Sequence, residues 1–306
     1  MPELSRRVQT FTDSVIRRMT RVSLQYGAVN LSQGFPDFDP PQEILDALKE
    51  AAEHGPHQYS ITFGAKNFRD ALAEMYTKKF AREIDPEKEI VVTCGGTEAM
   101  MAAMMTVCNP GDKVAVFSPF YENYGADAIL SGADPVYVPL VPPDFHYDSE
   151  ALERAFQAGA KALILCNPSN PCGKVFTMEE MEEIAELAKR YDAFVITDEV
   201  YEYIIYGENR HISMAALPGM YERTITCSSL SKTYSMTGWR LGYAACNEEI
   251  VKTVNKLHQH VVTCATSFVQ KAGVVALKEE KNEVTDMVKE YQRRRDYAVK
   301  AINEID

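Results

Sequence analysis

Basic charge is scarce in this 306-residue chain: 32 Lys and Arg stand against 44 Asp and Glu, giving a formal net charge of −12 and a pI near 5.1. Such a surface repels polyphosphates, so nucleic acid and anionic membranes are excluded as partners unless a strong local basic patch intervenes. The sequence carries no patch of that strength. It also lacks any apolar run approaching the ~20 residues that span a bilayer, and any internal repeat or low-complexity linker. Its seven cysteines, Cys94, Cys108, Cys166, Cys172, Cys227, Cys246 and Cys264, are odd in number and scattered, with no C-x-x-C pair. That pattern argues against a disulfide framework and a zinc site and points to a reducing cytoplasm. His258 and His260 lie two apart in a helical stretch and so face different ways, and no metal site is expected.

What remains is ordinary globular material, 46% hydrophobic and 25% charged. Its length suits one large α/β domain and part of a second. The N-terminal segment holds Arg6, Arg7, Arg17, Arg18 and Arg21, with Val8, Phe11, Val15, Met19 and Val22 at helical spacing. This predicts an amphipathic helix or arm, and Glu3 and Asp13 count against a mitochondrial presequence. From about residue 89, short β-rich runs alternate with helical patterns: EIVVTC, KVAVF, DPVYV, KALILC, AFVITD, RTITCS and GYAAC. They are apolar on both faces, as in a mostly parallel sheet covered by helices. Thr177 and Glu180 form a capping box for a helix ending near Tyr191, Asn247 caps another, and Pro110-Gly111 separates a helix from the next strand. The last stretch puts Val284, Met287, Val288, Tyr291, Ala298 and Ile302 on one helical face and reaches its end without a stop signal. The expectation is therefore a fragment of a longer protein.

Ligands of α/β folds sit at strand C-termini, and four such ends are unusual. Gly95-Gly96-Thr97, before a helix, either cradles a phosphate on its N–H groups or is a plain tight turn. Asn167-Pro168-Ser169-Asn170-Pro171-Cys172-Gly173 is stiffened by two prolines and sets Asn170 at the sheet edge. Asp198 ends a run that should be buried and calls for a cationic partner. The loop from Ser228 to Gly242 carries hydroxyls, Lys232 and Arg240. A P-loop needs G-x-x-x-x-G before the lysine and a dinucleotide site needs G-x-G-x-x-G, and neither is present. A lysine against the sheet edge loses hydration, which lowers its pKa and favours a nucleophilic amine and Schiff-base chemistry.

The order of these motifs, N-P-x-N-P-x-G, D-x-x-Y, S-x-S-K and G-x-R-x-G, resembles the fold-type I pyridoxal-phosphate (PLP) aminotransferases of classes I and II. Leu31 to Phe38, Gln58-Tyr59 before Gly64, and Ser118 to Tyr124 extend the resemblance over most of the chain. It implies the PLP-transferase fold type I, an α/β architecture with a mostly parallel seven-stranded sheet covered by helices and an incomplete small domain. Residues 1–30 would form an N-terminal arm and part of the small domain, 31–280 the large PLP-binding domain, and 281–306 the start of the C-terminal small domain.

By the same resemblance, Lys232 is the catalytic amine that forms a Schiff base with PLP and shuttles the proton. Asp198 pairs with the pyridine nitrogen, Tyr201 and Asn170 bond the phenolic oxygen, and Tyr121 stacks on the ring. Gly96, Thr97, Ser229 and Arg240 bind the phosphate, joined by Tyr59 from a neighbouring subunit, which implies a homodimer. Gly34 approaches the substrate carboxylate. The family's C-terminal arginine that grips this carboxylate has no match here, so weak or absent transamination is expected if these 306 residues are the whole molecule. The implied reaction is amino transfer from an L-amino acid to a 2-oxo acid. A PLP-dependent C–S β-lyase and a non-enzymatic PLP-binding regulatory module are the alternatives, and the choice of substrate stays open.

Overall fold

A computed structural model of the chain describes residues 2–278 and 282–305. In chain order the elements are α1 (Val15–Tyr26), α2 (Gln42–His54), α3 (Lys66–Phe80), β1 (Ile90–Thr93), α4 (Gly96–Val107), β2 (Lys113–Ser118), α5 (Asn123–Leu130), β3 (Asp134–Val141) and β4 (His146–Tyr147). There follow α6 (Ser149–Gln157), β5 (Ala160–Cys166), α7 (Met178–Arg190), β6 (Phe194–Asp198), β7 (Thr224–Ser229), β8 (Gly242–Ala245), α8 (Glu248–Val261), α9 (Ser267–Lys278) and α10 (Asn282–Asn303).

The seven expected strands all form. The sheet nevertheless has eight, in the order β1-β8-β7-β6-β5-β2-β3-β4, because the dipeptide His146-Tyr147 pairs antiparallel with Leu140 and Val141. Two residues give no periodicity to read, so that strand was invisible in the sequence. From β7 through β6, β5 and β2 to β3 the pairing is parallel, whereas β8 runs antiparallel to both neighbours.

The strands read as unbroken apolar runs because successive residues enter different cores. Val114, Val116, Ile164 and Ile196 join α4, α5 and α8 on one face, while Ala115, Phe117, Leu163, Leu165 and Val195 join α6 and α7 on the other. A third core links α2, α3, α9 and α10 with Ile90, Val92 and Tyr243. Each fully buried aliphatic side chain in these layers stabilises the fold by about 1.5–3 kcal/mol relative to an exposed one.

The predicted caps are present. Thr177 Oγ1 accepts from Glu180 N and the Glu180 carboxylate accepts from Thr177 N, at 3.3 and 2.9 Å, and Asn247 caps α8. The N-terminal pattern is not one helix. A short 3-10 turn at Arg6–Gln9 is separated from α1, whose own N-cap is Ser14 and which buries none of its residues. Asp13-Ser14 supplies the competing cap signal. In α10 the apolar face is buried at Val284 and Met287 only, and Ile302 is exposed. The boundary expected at 280/281 lies outside the described residues. No helix among the described residues is long and apolar enough to cross a membrane.

Candidate active site

Sheet register decides which side chains meet. Asp198 at the end of β6 pairs with Cys166 at the end of β5 and with Cys227 in β7, so the strand ends that launch the Asn167–Gly173, Asp198–Tyr201 and Ser229–Lys232 segments lie level. The antiparallel β8 brings Gly242 opposite both Ser229 and Thr93, which delivers Arg240, just before that strand, to the same edge beside Gly95 and Gly96. Gly242 has to be glycine: a Cβ there would lie 2.3 Å from the Gly95 carbonyl carbon.

These segments enclose a cavity of about 510 Å³ lined by Lys232, Asp198, Tyr201, Asn170, Tyr121, Gly96, Thr97, Ser229, Arg240 and Gly34. Every site residue expected from the sequence is thus brought to one cavity except Tyr59, whose ring is 82% exposed and stands outside it.

The cavity has two electrostatic poles. At one end, the free N–H groups at the start of α4, the Thr97 and Ser229 side chains and the Arg240 guanidinium surround a space that suits an anion. Gly95 has φ +81°, and a Cβ on it would sit 2.5 Å from Arg240 Nη2, so glycine permits the guanidinium to press against the turn. Among the described residues Arg240 pairs with no carboxylate, and its Nη1 donates only to the Thr237 carbonyl at 3.0 Å.

At the other end stands Asp198. Tyr124 Oη donates to its Oδ2 at 2.8 Å and Val200 N to its Oδ1 at 3.2 Å. Burial raises its pKa, opposed by the Tyr124 and Val200 bonds and by the charge of Lys232. The expected cationic partner is not a side chain: among the described residues no Lys, Arg or His forms an ion pair with Asp198. A buried acid facing a cavity without its cation suits a ligand that brings one.

Lys232 lines the same cavity and feels the charges of both Asp198 and Arg240. Its Nζ donates to the Gly34 carbonyl and sits 5.9 Å from the centre of the Tyr201 ring. Burial lowers its pKa, Arg240 lowers it further and Asp198 opposes them. Burial raises the Tyr201 and Tyr121 phenols, which therefore remain hydrogen-bond donors at neutral pH.

Some cavity residues escaped the sequence reading. Tyr124 and Asp127, one turn apart on α5, both line the cavity, and Asp127 is pushed up to about 7 by burial and then by the Asp198 charge. Its Oδ2 has no hydrogen-bond partner among the described residues. An acid inside the apolar run NYGADAIL was the available signal. Ser14, the N-cap of α1, and Arg17 within it reach the cavity as well, because Ser14 Oγ and Val15 N donate to the Glu122 carboxylate and dock the helix start there. Contacts more than a hundred residues apart leave no trace in local pattern.

Glu199, beside Asp198, faces away from the cavity. It meets Lys79 Nζ at 2.5 Å, His211 Nε2 at 3.0 Å and Ser213 Oγ at 2.8 Å. Burial pushes this carboxyl up, yet Lys79 and His211 overcome that and hold it well below the usual carboxylate range.

The fold and the site suit a PLP-dependent enzyme, and comparison with known proteins gives the family. The sequence profile of the family described as aminotransferase class I and II matches residues 26–306. The chain is 36% identical over 306 residues to aromatic-amino-acid aminotransferase 2 of Thermococcus litoralis, covering 99% of this chain and 79% of that protein. It is 37% identical over 274 residues to human kynurenine–oxoglutarate transaminase 3, covering 86% of this chain and 60% of that one. Among solved structures, N-succinyldiaminopimelate aminotransferase from Mycobacterium tuberculosis superposes with a TM-score of 0.95 at 36% identity, over 99% of this chain and 79% of that one. The chain belongs to the class I and II aminotransferases, enzymes that move an amino group with pyridoxal phosphate.

The residues present fit that cofactor. An arginine without a carboxylate, a helix start that only glycine lets Arg240 approach, and an acid without a cation answer a phosphate at one end and a protonated ring nitrogen at the other.

Proposed function

We propose that this chain transfers amino groups between an L-amino acid and a 2-oxo acid, with Lys232 as the residue that both holds the cofactor and moves the substrate proton. When bound, pyridoxal phosphate supplies an aldehyde that condenses with amines and a cationic ring that accepts the electron pair released at the substrate α-carbon. The observation that carries the reading is that Lys232, the Asp198 carboxylate and the anion-binding residues Gly96, Thr97, Ser229 and Arg240 line one cavity.

Gly96, Thr97, Ser229 and Arg240 would hold the phosphate through backbone N–H, hydroxyl and guanidinium donors. Asp198 would keep the ring nitrogen protonated, and Tyr124 and Val200 N–H keep its carboxylate aimed. Asn170 and Tyr201 would donate to the ring oxygen, while Tyr121 covers a ring face. The lowered pKa of Lys232 makes its amine available as nucleophile and then as general base at the substrate α-carbon. The Gly34 carbonyl holds the lysine Nζ beside the backbone segment that would meet the substrate carboxylate.

We also place the enzyme in the cytoplasm as a homodimer. Seven free cysteines support the first, and the exposed ring of Tyr59, outside its own cavity, supports its reaching a partner's phosphate site. The sheet-bearing residues 31–280 would form the large domain, with 1–30 and 281–306 given to the arm and small domain.

The test is spectroscopic. Protein loaded with PLP should show the visible absorption of a lysine-bound aldehyde, lose it on addition of a productive L-amino acid and regain it with a 2-oxo acid. The Lys232→Ala variant should show no such band, and a band that survives this substitution would refute the assignment.

A further inference from the structure

The Glu98–His258 pair, with the imidazole buried and the carboxylate partly so, adjoins the anion-binding turn but is not among the cavity-lining residues. Glu98 is the third residue of α4, next to the free N–H groups of Gly96 and Thr97. A carboxylate there competes with any ligand anion for the same donors, and its charge opposes that anion. Both of its oxygens are turned elsewhere: Oε2 accepts from Cys94 N at 2.6 Å, and Oε1 lies 2.6 Å from His258 Nδ1. Because an ionised carboxylate only accepts, Nδ1 carries the proton and donates. His258 belongs to α8, is 0% exposed, and its Nε2 meets no partner among the described residues. Its neighbour in the sequence pattern, His260, is exposed. An imidazole so placed makes one hydrogen bond, and that bond goes to Glu98.

We propose that His258 is a positioning residue for cofactor binding, which through Glu98 keeps the Cys94–Thr97 turn shaped and its N–H groups free for the phosphate. With His258 in place, Glu98 is satisfied on its inner side and braces the turn through Cys94 N–H. Without it, the partly buried carboxylate lacks a donor for Oε1 on its His258 side, which is costly. The same helix start carries the N–H groups of Gly96 and Thr97, which have no intrahelical partner and are the donors a phosphate there would use. The loss should therefore fall on the phosphate and spare the ring. Glu98 takes no other part: the opposite pole, with Asp198 and Tyr124, belongs to different segments.

This inference rests on the turn being the phosphate seat, and the experiment separates the two. Binding of PLP and of pyridoxal, its phosphate-free analogue, is measured by fluorescence titration of the full chain, with apo-protein thermal unfolding recorded for every variant. His258→Leu should weaken PLP about tenfold, the loss of about one hydrogen bond, and leave pyridoxal within about twofold. His258→Asn, whose amide can occupy the Nδ1 position, should recover most of the loss. Glu98→Gln in the His258→Leu background should also recover PLP binding, because a neutral amide no longer competes as an anion. Thr97→Val tests the seat itself and should weaken PLP alone. If Thr97→Val discriminates PLP from pyridoxal and His258→Leu does not, the role of His258 is refuted while the phosphate seat stands. If neither discriminates, the seat is wrong and both readings fall. Equal weakening of both ligands by His258→Leu and by the double variant would make His258 a core residue and overturn the proposal.

Discussion

Replacing Tyr124 with Phe removes one hydroxyl and keeps the ring, including its edge contact with Tyr121 at 5.7 Å and its place in the α4–α5 core. The hydroxyl donates to Asp198 Oδ2 at 2.8 Å, and among the described residues the other donor to that carboxylate is Val200 N–H at 3.2 Å. A hydrogen bond to a charged group contributes about 1.5–3 kcal/mol. If the ionised carboxylate is what the reaction needs, its loss lowers kcat/KM by about tenfold to about a hundredfold. The sign with pH follows from the forces on Asp198. Burial already raises its pKa and Tyr124 opposes this, so the variant's carboxyl rises further and a larger fraction is protonated at any given pH. The acid limb of the kcat/KM profile should move to higher pH, with the deficit largest on the acid side and smallest on the alkaline side. The assay is a pH series of transamination rates for both proteins, with urea unfolding as a control for packing. An acid limb that stays in place, whatever the absolute rate, would refute the role given to Tyr124.

Asp127 offers a stability test. Its carboxyl is raised from 3.8 to about 7, so the folded state binds the extra proton between those values and the unfavourable contribution grows as pH rises through them. Asp127→Asn should therefore stabilise the apo-protein at pH 8, on the order of a few kcal/mol, and change little near pH 4, as urea midpoints at the two pH values would show; equal effects at both would contradict this. Lys79→Met should destabilise the fold by about 3–5 kcal/mol, because Glu199 and Glu202 are left buried without their shared cation. That penalty should shrink in acid, where Glu199 takes up a proton, and a loss below about 1 kcal/mol would place the pair outside the stability-determining core.

Local pattern determined a good deal here. Seven strands, the Thr177 capping box and the Asn247 cap were legible because pleat, helix period and capping chemistry act within a few residues. The residues proposed to hold the cofactor drew notice for a different reason: most follow strand ends, where an acid, a lysine or a pair of prolines interrupts an apolar run. The eighth strand, two residues long, leaves no pattern to read, and in the N-terminal arginine-rich segment, whose spacing predicts one helix, Ser14 starts a new one.

Only tertiary structure decided which of these residues meet. Two neighbouring acids, Asp198 and Glu199, look alike in the sequence, yet one faces the cavity and among the described residues forms no ion pair, while the other is locked onto Lys79, 120 residues away. Glu98 and His258 are separated by 160 residues and touch at 2.6 Å. Period and propensity act along a few turns of chain, whereas register across the sheet and the packing of α8 on α4 set distances between residues that no local pattern relates.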